Sequence, residues 1–204
     1  AQMSHQREIS EFVQRLKKLL SYNLGKEGRQ TTLRMELEIV KEYIALQQMR
    51  YDFIIEMNIE DGSYLDQPTV RMLFQPLVEN AIRYGLGDDE KISIQVFEDV
   101  ARHLAVVTIS DSGKGLNQEE IDEINQPFDY DWGYWKNENR GIGLRYVKAM
   151  LESFYDGQTS LFVNSKKGFG TRITILLPVR KPEEKKEKDK EVTCLLYTSP
   201  SPRD

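Results

Sequence analysis

The sequence predicts an α/β fold (α+β): a two-layer sandwich with one mixed sheet in which antiparallel pairs dominate, and a helical segment at its N-terminal end. Two observations carry this. Apolar residues recur at helical spacing in some stretches and alternate with period two in others. The two kinds of stretch are interleaved along the chain, and a terminal pair of short strands reads as a hairpin.

The elements follow in order. Ile9, Phe12, Val13, Leu16, Leu19 and Leu20 form an i, i+3, i+4, i+7 stripe, so the chain opens with an amphipathic helix ending near Gly25. The stripe suits core packing or a dimer seam equally. Gly25 to Gln30 is a polar linker. Thr31 or Thr32 can cap a second helix, whose stripe is Leu33, Leu37, Val40 and Ile44 and which runs to about Tyr51. Phe53, Ile55, Met57 and Ile59 then alternate with other residues as a strand, and Asp61-Gly62-Ser63 turns the chain. A third helix is expected from near Pro68, through Leu77, Val78, Ala81 and Ile82. Ile92, Ile94 and Val96 mark another strand. Leu104 to Ile109 is a continuous apolar run, which predicts a central strand covered on both faces. Asn117 to Gln126 reads as a short acidic helix, and Pro127 to Glu138 as an aromatic, irregular stretch. Gly141 opens a helix through Glu152. Thr159–Asn164 and Thr171–Leu177 make the final hairpin.

The third helix carries unusual polar groups. Glu79 and Asn80 lie side by side in its apolar run, and a carboxylate or amide at a core edge costs roughly 1–3 kcal/mol if left unpartnered. Glu79 could polarise a nucleophile, and the Asn80 amide oxygen could hold a hard cation such as Mg²⁺. Arg83, one turn on, could meet phosphate. Three glycine clusters follow. They are Ile109-Ser110-Asp111-Ser112-Gly113-Lys114-Gly115 after a strand, Asn139-Arg140-Gly141-Ile142-Gly143-Leu144 before a helix, and Gly168-Phe169-Gly170-Thr171 before a strand. Singly, each would pass as a turn.

Together with Gln75-Pro76-Leu77-Val78-Glu79-Asn80-Ala81, in this order and at these element edges, they resemble the N, G1, G2 and G3 boxes of the GHKL ATPase superfamily. Within it, the first box and Gly141-Ile142-Gly143-Leu144-Arg145 look like sensor histidine kinases of the LytS/YesM type. The resemblance spans Ser10 to Pro178. It implies a mostly antiparallel sheet with helices on one face, and ATP and Mg²⁺ as ligands. Asp111 would accept a hydrogen bond from the adenine amine, a donor that guanine lacks there. Gly113 and Gly115 would let the backbone approach the base. The amides of Gly141, Ile142, Gly143 and Leu144, at a helix start, would meet phosphate oxygens. Gly170 and Thr171 would form the third glycine box, with the threonine hydroxyl supporting Asp111. Asn80 would ligate Mg²⁺, Glu79 would serve as general base toward a phosphoacceptor histidine, and Arg83 would lie near the phosphates. Tyr84 stands where many members carry histidine. The aromatic stretch Phe128 to Trp135 would be a short ATP lid. Tyr146 replaces the third glycine of a dinucleotide fingerprint, and no GxxxxGK[ST] occurs, which excludes a P-loop.

The resemblance divides the chain into a partial dimerisation and phosphotransfer helix (1–25), a catalytic ATPase domain (26–180), a charged tail (181–193) and a terminal segment (194–204). Residues 194–204, from Cys194-Leu195-Leu196-Tyr197 to Pro202-Arg203-Asp204, read as a translated sequencing adapter. The chain has two histidines, His5 and His103. Neither stands in a phosphoacceptor motif, so the acceptor is expected upstream. A response regulator partner, a homodimeric full-length protein and a cytoplasmic domain of a membrane-anchored parent are all implied by the family. A net charge of −5 argues against a nucleic-acid surface, and no apolar run approaches the roughly 18 residues that span a bilayer. A chaperone or mismatch-repair type clamp is the alternative, as is a degenerate kinase used for binding. The short lid and the lack of a transducer after Pro178 disfavour the clamp, and the intact Glu79, Asn80 and Asp111 disfavour degeneracy.

Lys181 to Glu191 is nearly all Lys, Glu and Asp, with no apolar stripe to bury. Removing everything after Arg180 should leave the thermal midpoint unchanged in a melting experiment. A drop of several degrees would show that the tail packs on the domain.

Overall fold

The helical stripes and alternating runs form the elements they predict, in a computed structural model that describes residues 2–25, 31–86, 91–125 and 142–179. In these residues the order is α1 (Gln2–Asn23), β1 (Thr31–Thr32), α2 (Leu33–Gln48) and β2 (Ile54–Ile59). A 3-10 turn at Ser63–Asp66 leads to β3 (Pro68–Thr69), α3 (Gln75–Tyr84), β4 (Lys91–Asp99), β5 (Leu104–Asp111) and α4 (Gln118–Asn125). Then come α5 (Ile142–Phe154), β6 (Ser160–Lys166) and β7 (Gly170–Pro178). The main sheet has the order β2-β4-β5-β7-β6. The β2–β4 pair is parallel and the other pairs are antiparallel, so the sheet is mixed and mostly antiparallel.

The register explains the core. Ile94 and Val96 of β4 lie opposite Ile109 and Val107 of β5, which lie in turn opposite Ile173 and Ile175 of β7. All six are buried, and they pack in one cluster with Leu37 and Val40 of α2, Leu77 and Ala81 of α3, and Val147 and Leu151 of α5. The helices therefore cover one face. Thr32 caps α2, its hydroxyl accepting the Met35 amide at 3.2 Å. Asn117 and Glu120 cap α4 reciprocally, each side chain accepting the other's backbone N–H at 2.9 Å. On α1, Leu19 and Tyr22 pack against Ile39 and Leu46 of α2, while Ile9, Phe12, Val13, Leu16 and Leu20 stay exposed.

Three expectations are corrected. The strand Leu104–Asp111 is central but covered on one face only: Ala105, Val107 and Ile109 are buried, whereas Val106 and Thr108 are half-buried. Val106 sits across from Phe97 on β4 and Leu176 on β7. Its apolar identity therefore belongs to a cross-strand row on the open face rather than to a second helical layer. The third helix begins at Gln75, not near Pro68. Pro68 and Thr69 instead bridge antiparallel to Thr32 and Thr31, and Met72 turns the chain with φ 58°. The proline in the first turn of the helix is Pro76, where a missing N–H is harmless. The second helix ends at Gln48, three residues short of Tyr51.

The one-sided sheet makes a direct prediction. Ile94→Ala, at 1 % exposure, should cost about 2–5 kcal/mol in urea denaturation. Ile54→Ala, at 59 % exposure, should cost under about 1 kcal/mol. Equal losses would mean that the open face is covered.

Candidate nucleotide-binding site

The site begins where β5 ends. Asp111 is its last residue, and the chain then turns through Gly113. The Asp111 Oδ1 accepts the Gly113 N–H and the Thr171 N–H, both at 3.1 Å. Burial pushes the Asp111 carboxyl above the usual aspartate range, and the two amides pull against that shift. Among the described residues only Oδ1 is so engaged, which leaves Oδ2 available toward the pocket. Two glycines make the arrangement possible. Gly170 has φ +90°, and a Cβ there would lie 2.0 Å from the Asp111 carbonyl oxygen. A Cβ on Gly113 would lie 2.4 Å from the Gly85 Cα, so the end of α3 and this loop touch backbone to backbone.

Ser165 of β6 straps the loop from the other side. Its Oγ accepts the Leu116 N–H at 2.7 Å and donates to the Gly170 carbonyl at 2.8 Å. A hydroxyl has one proton, so the Thr171 hydroxyl, 2.9 Å away, is the donor to Ser165. Thr171 thus supports Asp111 through its backbone N–H, whereas the resemblance implied its hydroxyl.

A pocket opens beside Asp111, between α3, β5, α4, α5 and the start of β7. Leu77, Ala81, Ile109, Ile124, Leu144 and Ile173 give it apolar walls. Asn80, Asp111, Lys114, Glu120, Glu123, Arg145 and Thr171 supply polar groups. An apolar slot with a carboxylate at its end suits a flat heteroaromatic ring bearing an amine. Lys114 and Arg145 suit a polyanion attached to that ring, though Glu120 and Glu123 place two further carboxylates in the same lining. Gly143 brings the start of α5 against α3: a Cβ there would sit 3.6 Å from both Asn80 Nδ2 and Pro76 Cβ. A helix start, with its free amides, therefore lies beside Asn80.

The expected residues divide as follows. Asn80, Asp111, Gly115, Leu144 and Thr171 line the pocket; Gly113, Gly143 and Gly170 are not among its lining residues and instead let the surrounding segments approach closely. Ile142 is the first residue of α5. Gly141 and the aromatic stretch Phe128–Trp135 lie outside the described residues. Glu79 and Arg83 are not among the lining residues. They pair with each other at 3.0 Å across one helical turn, with side chains 43 % and 61 % exposed. Such a pair is worth little to stability. Lys114, Tyr84, Arg145 and Ser165 were absent from the expected set. Lys114 Nζ lies 4.9 Å over the Tyr84 ring, so the two hold one another at the pocket edge. Among the described residues no group of three or more His, Cys, Asp or Glu could hold a metal ion. A cation here would take Asn80 and the ligand's own oxygens.

The profile of the histidine kinase-, DNA gyrase B-, and HSP90-like ATPase family matches residues 65–181, more than half of the chain. A second profile, described as histidine kinase, matches residues 1–54. The sensor protein kinase HptS of Staphylococcus aureus (strain bovine RF122 / ET3-1) is 30% identical over 168 residues, covering 82% of this chain and 32% of its own. HptS of strain USA300 gives the same identity and coverage. The chain thus spans about a third of the length of these relatives. Among solved structures, the Acinetobacter baumannii histidine kinase AdeS superposes with a TM-score of 0.52 at 17% identity, covering 88% of this chain and 82% of that one. The catalytic domain of histidine kinase ThkA gives 0.55 at 16% identity, covering 74% and 96%. These two likenesses bear on the fold alone. With the glycine loops, Asp111 and Asn80 gathered on one pocket, the chain belongs to the histidine kinase-, DNA gyrase B-, and HSP90-like ATPase family and carries a histidine-kinase ATP-binding catalytic domain.

Proposed function

We propose that the pocket binds Mg-ATP and that, in its full-length protein, the domain transfers the γ-phosphoryl group to a histidine located upstream of this chain. The observation that carries the reading is Asp111, fixed by two amides at the end of an apolar slot. Its remaining oxygen accepts the adenine amine, and the apolar walls hold the ring. The start of α5, from Ile142 to Leu144, meets the phosphates with its amides, with Arg145 and Lys114 adding charge, and the resemblance adds the amide of Gly141. The Asn80 side-chain oxygen would hold a bound magnesium ion, whose charge would offset that of the phosphates. Asn80 suits this role because its side chain faces the pocket and, among the described residues, makes no hydrogen bond.

Glu79 faces solvent beside the pocket, where an incoming imidazole can reach it. As the imidazole nitrogen forms its bond to the γ-phosphorus, the bond to the β–γ bridging oxygen breaks and ADP leaves. Glu79 takes the proton from the other ring nitrogen. Arg83 holds Glu79 in place until then. The exposed stripe Ile9, Phe12, Val13, Leu16 and Leu20 on α1 supports a homodimer of the full-length protein, with a second copy covering it. A response regulator as the phosphoryl acceptor follows from the sensor-kinase relatives. No helix among the described residues is long and apolar enough to cross a membrane. A membrane-anchored parent, with this domain in the cytoplasm, rests on the resemblance.

Calorimetry tests the base contact. Asp111→Asn should weaken ATP binding by roughly 1.5–3 kcal/mol, the worth of a charge-assisted hydrogen bond, and GTP should bind poorly to the parent chain. An ionised acceptor is required, so affinity should fall as pH is lowered through the Asp111 titration. Because burial raises that carboxyl, the fall should begin above the range of an ordinary aspartate, about 3.9. Asp111→Asn should remove this step. Comparable ATP and GTP affinities would defeat the assignment.

Catalysis separates from binding in a second experiment. Asn80→Ala should weaken magnesium-dependent ATP binding, while Glu79→Ala leaves it nearly intact. Incubated with γ-labelled ATP, the chain should label a supplied phosphoacceptor helix and not itself. Acid-labile label on this chain alone, lost in His5→Ala, would overturn the upstream acceptor.

A further inference from the structure

The buried polar side chains of this domain gather away from the pocket. Thr31, Glu36 and Thr69 are each less than 5 % exposed, and all belong to one network. Glu36 stands in the first turn of α2. Its carboxylate accepts the Tyr22 hydroxyl from the end of α1, the Met72 N–H at 2.9 Å and the Leu73 N–H at 2.7 Å. Residues 72–74 are the entrance to α3. Phe74 is the N-cap of α3 and gives it no side-chain cap, so Glu36 supplies the negative charge that a helix start favours. Met72 holds a left-handed backbone, which costs a residue with a side chain roughly 1–3 kcal/mol. The carboxylate grips the amide of that same residue.

The Tyr22 hydroxyl has one proton. It goes to Glu36, so Thr31 Oγ1, 2.5 Å away, is the donor to Tyr22. Arg71 donates to the Tyr22 carbonyl at 2.7 Å, and its guanidinium lies 4.6 Å over the ring. Thr31 pairs across the β1–β3 bridge with Thr69. The Thr69 hydroxyl meets the Tyr155 hydroxyl at 3.0 Å, immediately beyond α5. The end of α1 is therefore tied to the start of α3 by one route and to the end of α5 by another. These are the two helices that carry Asn80 and Leu144 to the pocket. Well-packed apolar residues could hold such a junction with no charge to desolvate. A fully satisfied polar node instead fixes one relative orientation.

We propose that Glu36 is a positioning residue, and that the Tyr22–Glu36 contact couples the orientation of α1 to helix α3 and so to the nucleotide pocket. The proposal rests on the nucleotide reading for what the pocket holds, and the coupling between helices is testable without it.

Coupling is reciprocal, so a ligand in the pocket must be felt at α1. Hydrogen exchange of the full chain, with and without Mg-ATP, measures this. In the parent, nucleotide should slow exchange at Leu20–Leu24 on the order of fivefold, at the lower end of usual couplings. Tyr22→Phe keeps the ring and its contact with Arg71 and deletes only the hydroxyl. It should lose the protection at Leu20–Leu24 while the Gly113 and Thr171 amides are still protected by nucleotide. Glu36→Gln should behave alike if it folds; the tyrosine variant decides if it does not. Without nucleotide, Tyr22→Phe should speed exchange at Met72, Leu73 and the first turn of α3 on the order of fivefold, with β4 and β5 unchanged. Protection at Leu20–Leu24 that survives in Tyr22→Phe would overturn the proposal, as would its absence in a parent whose pocket amides are protected. If nucleotide protects no pocket amide in the parent, the nucleotide reading fails, and the ligand-free comparison alone decides the coupling.

Discussion

One oxygen of Asp111 binds the amides of two segments far apart in the chain, the loop at Gly113 and the start of β7 at Thr171. Much of the pocket depends on that clasp. It fixes the direction of the carboxylate, and it brings Gly170 so close that only a residue without Cβ fits. It also brings the β6–β7 turn beneath the glycine loop, where the Gly168 amide bonds to the Lys114 carbonyl at 2.7 Å. With the loop held this way, Gly113 can lie against Gly85, and the end of α3 is set relative to the sheet. A loosening of the clasp would therefore shift the Asp111 carboxylate and the α3 side chains that line the pocket together.

Two carboxylates of the domain, Asp111 and Glu36, have opposite hydrogen-bond states. Asp111 has one oxygen occupied and one turned to a pocket. Glu36 has both oxygens occupied by protein donors. Burial raises both carboxyls, and hydrogen bonds oppose that rise in both. A carboxylate with spare lone pairs at a cavity recognises a donor from outside. One without them organises the chain around itself. The same side-chain chemistry thus does recognition at one end of the domain and orientation at the other.

Much of this was legible in the sequence, because strict backbone requirements leave glycines and alternating apolar runs behind. The strands at Ile92–Val96 and Thr171–Leu177, the helix opening near Gly141 and the placement of Asp111 after a strand followed from period and punctuation alone. Other features leave no such trace. Ser165 is one polar residue in an alternating edge strand, and nothing local tells that it closes a loop 49 residues away. The Pro68 signal was ambiguous because proline suits a short bridge as well as a helix start, and only tertiary pairing with Thr31–Thr32 separates the two. Val106 looked like core because cross-strand apolar rows and buried faces share a composition. For α3 the signal was present and unread. Leu77, Asn80, Ala81 and Tyr84 share one face at spacings of three, four and seven, and all line the pocket. Glu79 and Arg83 are four apart on the adjacent face, so Arg83, paired with Glu79, lies outside the pocket that Asn80 lines.

The clasp joins residues 60 positions apart in the chain. Everything between them, from α4 through β6, must be threaded before Thr171 can reach Asp111. By contrast β4 and β5 meet through a short turn. Closing a loop of that length costs roughly 3–4 kcal/mol of chain entropy, so this contact is a late event on the folding route. A chain still emerging during synthesis has the Asp111 carboxylate long before the partner that aims it. Any ligand that requires the aimed form can bind only the finished domain, and it then draws the folding equilibrium toward completion by mass action.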